Sequence, residues 1–288
     1  MAKSRTKKAK DVVEKNETEQ LHLANSQIQK LGDYQGDPDF MASLARGLTV
    51  ISAFSEHHHN QTISNISKLT GLSRASVRRC LYTLVQLGYA RQENNGFSLE
   101  PKILTLGYAF LSSTSIIDKA QPYLDRLRNT LHESSSIGVL EGDQVFYVGR
   151  SEATRVMSIS LRIGSHLPAY CTSMGRVILA NLPEEERDRL IKDMEIKAYT
   201  DKTVTSKKEL LKILIQIKKA GYSIVDEELE KGLRSIAVPI FNNNDQVVAA
   251  INIGTHIGRV TISDLKGKFL KELQKEVSDL MIHNKYIK

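Results

Sequence analysis

The sequence predicts an α+β fold, and three observations carry that prediction. Between Leu44 and Val85, apolar residues recur every three or four positions, the period of helices that bury one side. From Ser135 to Leu161, and again from Tyr222 to Ile253, the pattern shifts to alternation and short apolar runs bounded by Gly, Asn and Asp turns. Helices and hairpins are mixed in this second half, which points to an antiparallel sheet with helices packed on it.

Composition bounds the rest. At 288 residues the chain has room for two domains, and 40 Lys plus Arg against 33 Asp plus Glu leave a net charge of +7. That balance suits a polyanionic partner. The two cysteines, Cys80 and Cys171, fall in different regions, which favours free thiols over a disulfide framework. The longest weakly charged apolar stretch, Ile103 to Ile117, is too short for a membrane span and rich in Ser and Thr, and the N-terminus lacks a signal-peptide core. A cytoplasmic, nucleoid-associated protein with no membrane partner is expected.

Residues 1–38 read as a flexible basic arm, with Lys3, Arg5, Lys7, Lys8 and Lys10 clustered at its start. Asp37-Pro38-Asp39 leads into a domain expected over 39–101. Leu44, Leu48 and Ile51 give its first helix, with Arg46 on the flank as a phosphate contact. His57, His58 and His59 cannot all converge on one ion from consecutive positions, so a polar loop and no metal site is expected.

From His57 to Gln92 there is no Asp or Glu, yet Lys68, Arg74, Arg78, Arg79 and Arg91 are present. Ile63, Ile66 and Leu69 make one helix, which Gly71 ends. Ser73 is a good N-cap for a second, in which Val77, Leu81, Leu84 and Val85 share a stripe. The opposite arc carries Ser76, Arg78, Arg79, Tyr82 and Thr83, with Arg74 at the helix start. This is a helix-turn-helix whose second helix fits a major groove, and Ser64 and Ser73 are placed with it as DNA contacts. Tyr89 to Gln92 and Phe97 to Leu99 then alternate around Asn94-Asn95-Gly96, giving a β-hairpin wing from which Arg91 and Asn95 reach the DNA.

Residues 102–116 are expected to form a linker helix. It carries Ile103, Leu104, Leu106, Phe110 and Leu111 on more than one face, so it predicts a partner chain and hence a dimer. The second domain, 117–288, begins with an amphipathic helix through Ala120, Leu124, Leu127 and Leu131, with Pro122 near its start. Hairpin strands follow at Ser135–Leu140 and Val145–Val148, then a strand at Met157–Leu161. Helices are expected from Thr172, over Glu184–Met194 and over Ser206–Ala220. Three more strands and a closing helix from Asp264 to His283 complete it.

Small and polar residues gather beside these strands at Gly164–Gly175, Gly232–Ser235 and Asn252–Gly254. Thr172 or Ser173 would cap a helix whose free N–H groups can hold a carboxylate. Arg234 or Arg162 could pair with the acid, and His166, Tyr170 and Met174 could line an aromatic slot. Cys171 before a helix start raises the alternative of a cysteine enzyme, but no base oriented by a third group is recognisable. The acidic run Asp226, Glu227, Glu228 and Glu230 reads as a solvated loop. No phosphate-cradling loop, cofactor motif or paired-carboxylate motif is present, so neither enzyme nor cofactor is expected.

The segments TGLSRASVRRCLYTL, LPAYCTSMGRVILANL and GLRSIAVPIFNNNDQVVAAINIG resemble IclR-type bacterial transcriptional regulators over about residues 40 to 285. LPAYCTSMGR is similar to the subgroup controlling protocatechuate and 4-hydroxybenzoate catabolism. The resemblance implies a GAF-like effector domain that binds a small organic acid, a homodimer or dimer of dimers, and RNA polymerase as a further partner. It also implies an activator that represses its own gene, with the alternative of a repressor on the same scaffold released by another small organic acid. It places Val156, Ile159, Ser173, Met174, Ser235, Asn252 and Gly254 around an effector, here an aromatic carboxylate such as protocatechuate. Ser235 stands where members binding small keto acids have cysteine, and Asn252 and Gly254 where they have serine.

Overall fold

The computed structural model describes residues 32–34, 36–54, 60–113, 115–153 and 161–283. Most of the basic arm, His57 to His59, and the strand expected at Met157–Leu161 (but for Leu161) with Val156 and Ile159 lie outside the described residues. The chain divides into two compact units at Phe110/Leu111.

The first unit contains α1 (Ala42–Ser52), α2 (Ile63–Thr70) and α3 (Arg74–Gln86), then the hairpin β1 (Ala90–Glu93) and β2 (Gly96–Leu99). Thr62 Oγ1 caps α2 by accepting from Asn65 N–H, and Gly71 ends it in the left-handed region at φ 64°. Ser73 Oγ then accepts from Ser76 N–H and starts α3. Ile66, Val77, Leu81 and Leu84 are buried with Val50, Ala53, Ala90 and Phe97 in one core. Each Leu or Ile so buried contributes ~1.5–3 kcal/mol. Asn94, at φ 53°, and Asn95 make the two-residue hairpin turn. Gln61 pairs with Phe97 through two backbone hydrogen bonds of 2.8 Å, a single bridge that ties the start of α2 to the wing.

The stripe expected on α1 is corrected. Leu44 and Leu48 are 59% and 48% exposed, while Thr49, Val50 and Ala53 face inward. Thr49 can be buried because its hydroxyl donates to Ala45 O at 2.9 Å, satisfying the polar group. Met41, Leu44 and Leu48 are thus left exposed. After a 3-10 turn at Pro101–Ile103, helix α4 (Leu104–Ser113) runs across the unit boundary with Leu104, Leu106 and Tyr108 exposed.

The second unit is a six-stranded antiparallel sheet with helices on both faces. It starts with α5 (Ser115–Leu131), in which Pro122 sits well inside the helix rather than near its start. The strands β3 (Ser134–Glu141), β4 (Gln144–Ser151), β5 (His166–Pro168), β6 (Ser223–Asp226), β7 (Leu233–Phe241) and β8 (Val247–His256) lie in the order β5-β4-β3-β8-β7-β6. Strand β5 falls inside Gly164–Gly175, where no strand is expected from the sequence. Between the strands come α6 (Ser173–Asn181), α7 (Glu184–Asp193) and α8 (Lys207–Ala220). A helical turn at Ile262–Asp264 and a π-turn at Leu265–Phe269 lead into the last helix, α9 (Leu270–His283).

One face of the sheet packs Ile137, Ile236, Val238, Ile251 and Ile253 against Leu124, Leu127 and Leu131 of α5 and Leu273, Val277 and Leu280 of α9. The other packs Val145, Ala237 and Ala250 under Met174, Val177 and Ile178 of α6 and Leu210 and Leu214 of α8. Alternation along each strand feeds the two layers. No helix among the described residues is long and apolar enough to cross a membrane.

Candidate functional site

Two surfaces concentrate the candidate residues, one in each unit. In the first, Arg46, Ser64, Arg74, Arg78, Arg79, Tyr82 and Thr83 are exposed, and α3 buries its other side. Arg46, Arg74, Arg78 and Arg79 form no ion pair among the described residues. Ser73 and Ser76 hold each other at 3.0 Å while capping the helix, and Thr83 Oγ1 donates to Arg79 O. Their hydroxyls therefore serve the helix first. Asn95 is exposed at the hairpin tip. Arg91 Nε donates to Glu93 at 2.6 Å and its Nη1 to Glu100 at 3.1 Å, half-exposed ion pairs on the wing with which a phosphate would compete. A free cationic helix with a hydrogen-bonding flank is the geometry of major-groove and phosphate contact.

In the second unit a cavity opens between the sheet and the start of α6. Its sheet wall comes from two registered rows. Arg150 pairs with Ser136, and Ser136 pairs with Asn252. One row on, Gly254 pairs with Ser235, and Ser235 with Val225. Across from these rows are Cys171, Thr172 and Ser173, with Leu161 and Leu167, while Leu229 and Leu233 close another side.

A β-bulge brings Tyr147 and Arg150 to the same cavity. The β3–β4 register passes from Ile137–Gly149 to Gly138–Tyr147 and leaves Val148 as an extra residue. Val148 packs in the α5/α9 layer, and a Cβ on Gly149 would meet Ile137 and Leu124 there. Two successive residues thus face that layer, so Tyr147 and Arg150, three apart, both face the other.

Arg150 Nη1 donates to Ser136 Oγ at 3.0 Å, while its buried Nε has no partner among the described residues. Burial pulls the guanidinium below its ordinary pKa, with the charges of Glu152 and Tyr147 pulling the other way. It stays a cation at neutral pH. Ser173 Oγ, on the α6 side, is also buried without a partner. The cavity therefore offers a partly buried cation and a buried hydroxyl inside apolar walls, an environment suited to a small acid.

Of the residues expected around the effector, Thr172, Ser173, Ser235, Asn252 and Gly254 line this cavity. The Thr172 hydroxyl is occupied, donating to Pro168 O at 3.1 Å and accepting from Gly175 N–H at 3.3 Å. Five others do not line it. The Tyr170 hydroxyl bonds both the carbonyl and the N–H of Lys197, at 2.8 and 2.9 Å, and its ring is core. Met174 is fully buried between α6 and Gly138. His166 stacks on Phe146 at 5.2 Å while its neighbour Leu167 turns inward. Arg234 alternates away from Leu233 and Ser235 and donates to Asp226 at 2.6 Å and Val260 O at 2.8 Å. Arg162 is exposed and outside the lining.

The acidic run is also corrected. Glu228 is buried, taking Arg176 Nη1 and Nη2 at 2.5 and 2.6 Å and Val204 N–H at 3.0 Å. Arg176 Nε donates to Tyr170 O at 2.6 Å. The pair ties the α6 wall to the segment that carries Leu229.

Cys171 is fully buried and burial pushes its thiol up to about 12. The thiolate that a helix start favours is thus suppressed here. At pH 8 an alkylating reagent should leave Cys171 of the folded chain unmodified, and mass spectrometry of the labelled peptide checks this. Gly175 makes the cavity wall possible: a Cβ there would lie 2.2 Å from Ala169 O and 2.3 Å from Ala169 Cα. Gly175→Ala should therefore cost ~3 kcal/mol, the upper end for overpacking against backbone, and weaken acid binding. A denaturant titration and calorimetry measure the two effects.

Known proteins fit both units. The model for the IclR helix-turn-helix domain matches residues 43–94, and that for the bacterial transcriptional regulator IclR C-terminal domain matches residues 108–281. The Pca regulon regulatory protein of Pseudomonas putida is 47% identical over 259 residues, covering 90% of this chain and 89% of that one. The crystal structure of a transcriptional regulator from Rhodococcus sp. RHA1 is 41% identical with a TM-score of 0.75, covering 84% of this chain and 97% of that one. The inducer-binding domain of a double mutant of PobR from Acinetobacter, in complex with 3-hydroxybenzoic acid, is 31% identical with a TM-score of 0.53. It covers 56% of this chain and 94% of that one. The chain belongs to the IclR family of bacterial transcriptional regulators.

Proposed function

We propose that this chain regulates an aromatic-acid catabolic operon, binding operator DNA through α3 and sensing an aromatic carboxylate such as protocatechuate in the second unit. One observation carries the reading. The same chain presents a cationic helix face and, in a separate unit, a cavity holding buried polar atoms, neither of them paired among the described residues. The aromatic class is supported by the name of the Pseudomonas relative and by the hydroxybenzoic acid held by the Acinetobacter domain.

The DNA-bound species is a homodimer, or a dimer of dimers, placing recognition helices on a repeated operator. Support comes from the apolar side chains left outward on α1 and α4, Leu44, Leu48, Leu104 and Leu106. Acting on the chromosome places it in the cytoplasm, at the nucleoid. It activates its target operon through RNA polymerase and represses its own gene, with the acid biasing the second unit between arrangements.

Sequencing of genomic fragments retained by the purified chain tests this reading. Enrichment beside genes for aromatic-acid degradation, and beside the chain's own gene, is expected. Enrichment beside unrelated genes only would overturn it.

A further inference from the structure

We infer that Arg150 is the specificity-determining anchor of the cavity, receiving the ligand's carboxylate on its unpartnered Nε edge, while the start of α6 receives a neutral hydroxyl. The inference rests on the regulatory reading above and says which end of the cavity takes the charge. A helix N-terminus favours anions in general, so the alternative anchor is the Ser173 end, and the geometry separates the two. At the α6 end the Thr172 hydroxyl is already committed, and Ser173 offers a neutral hydroxyl. At the sheet end stands a full positive charge. Its Nη1 is fixed by Ser136, and its Nε is buried without an acceptor. A carboxylate accepts two parallel N–H bonds from one guanidinium edge, and such a charge-assisted pair is strong where water is excluded.

The molecule pays for this arrangement in the free state. An arginine that serves the fold is normally matched by a buried carboxylate, as Arg176 is matched by Glu228. Among the described residues, no ion pair to Arg150 accompanies its bond to Ser136. The acid whose charge it feels, Glu152, is exposed. Arg150 is half-buried with its Nε fully enclosed, and a cation so placed without a counter-ion destabilises a fold until one arrives. The bulge at Val148 puts the cation there, since strict alternation from Tyr147 would have turned it to the α5/α9 layer with Val148.

Two measurements on the full-length chain test the inference. The first is the melting temperature of Arg150→Met without ligand, which does not depend on knowing the effector. An anchor held for a ligand predicts a rise of ~3 °C, because an unpaired charge is replaced by an apolar side chain of similar length. A fall would make Arg150 a structural residue and overturn the inference. The second is calorimetric affinity for protocatechuate and for its neutral amide, 3,4-dihydroxybenzamide. The wild-type chain should prefer the acid on the order of 100-fold, Arg150→Met should bring that ratio to within a few-fold, and Ser173→Ala should preserve it. Loss of the ratio in Ser173→Ala with its retention in Arg150→Met would move the carboxylate to α6 and overturn the inference. If the wild-type chain binds neither compound, the aromatic reading fails by itself, and the melting shift still decides the role of Arg150.

Discussion

Replacing Arg78 and Arg79 together by alanine is expected to abolish operator binding while leaving the fold and acid binding intact. Both side chains are exposed on α3 and form no ion pair among the described residues, while Val77, Leu81 and Leu84 on its other side make the core. Each base contact by an arginine is worth ~1–3 kcal/mol of discrimination. A dimer loses the contacts twice, so affinity should fall more than ~1000-fold. The salt dependence should also flatten, because each lost phosphate contact lowers the slope of log K against log salt by roughly one. Fluorescence anisotropy on the intergenic fragment beside the chain's own gene reads both quantities. Unchanged binding would mean that α3 is not the recognition helix. Arg91→Ala should have a smaller effect in the same assay, since a phosphate must compete there with Glu93 and Glu100.

Glu228→Gln is expected to be the most destabilising conservative change in the second unit. Side-chain exposures of 3% for Arg176 and 10% for Glu228 mean that the variant leaves a guanidinium in the interior without its counter-charge. Breaking a buried pair from one side costs ~3–5 kcal/mol, whereas replacing both partners by apolar groups is often close to neutral. The melting temperature should therefore drop by roughly 10 °C for a unit of this size. The double replacement Arg176→Met, Glu228→Leu should recover much of that loss. Acid affinity should weaken in the single variant as well, because Leu229 follows Glu228 directly and lines the cavity. A melt accompanied by a titration separates these effects, and a melting temperature unchanged in Glu228→Gln would contradict the account of this pair.

Much of the first unit was legible because its signals are local. Gly71, Ser73 and the Val77–Leu81–Leu84 stripe each act within one or two turns, and the Asn94-Asn95 turn fixes the hairpin register by itself. Helix α1 misled because Leu44 and Leu48 are apolar yet outward, and hydrophobic period alone does not say which side a partner covers. In the second unit the periodicities placed the sheet and its helices, including the buried stripe Leu265, Phe269, Leu273, Val277 and Leu280. The cavity was harder to read. Arg234 and Ser235 cannot both face it, by simple alternation, so that error was avoidable. Arg150 was not accessible in the same way, since the bulge resets the alternation between Tyr147 and Arg150 and a bulge leaves little trace in one sequence. Glu228 looked solvated because its partner lies fifty-two residues away on α6. Tyr170 carried the right chemistry for an aromatic slot, but its hydroxyl is taken by Lys197.

Calorimetric titration of the purified chain with protocatechuate, 4-hydroxybenzoate, pyruvate and adipate tests the central claim most directly. The account predicts a saturable one-site isotherm for an aromatic acid, and none for pyruvate or adipate. Saturable binding of pyruvate or adipate, with no heat from either aromatic acid, would contradict it.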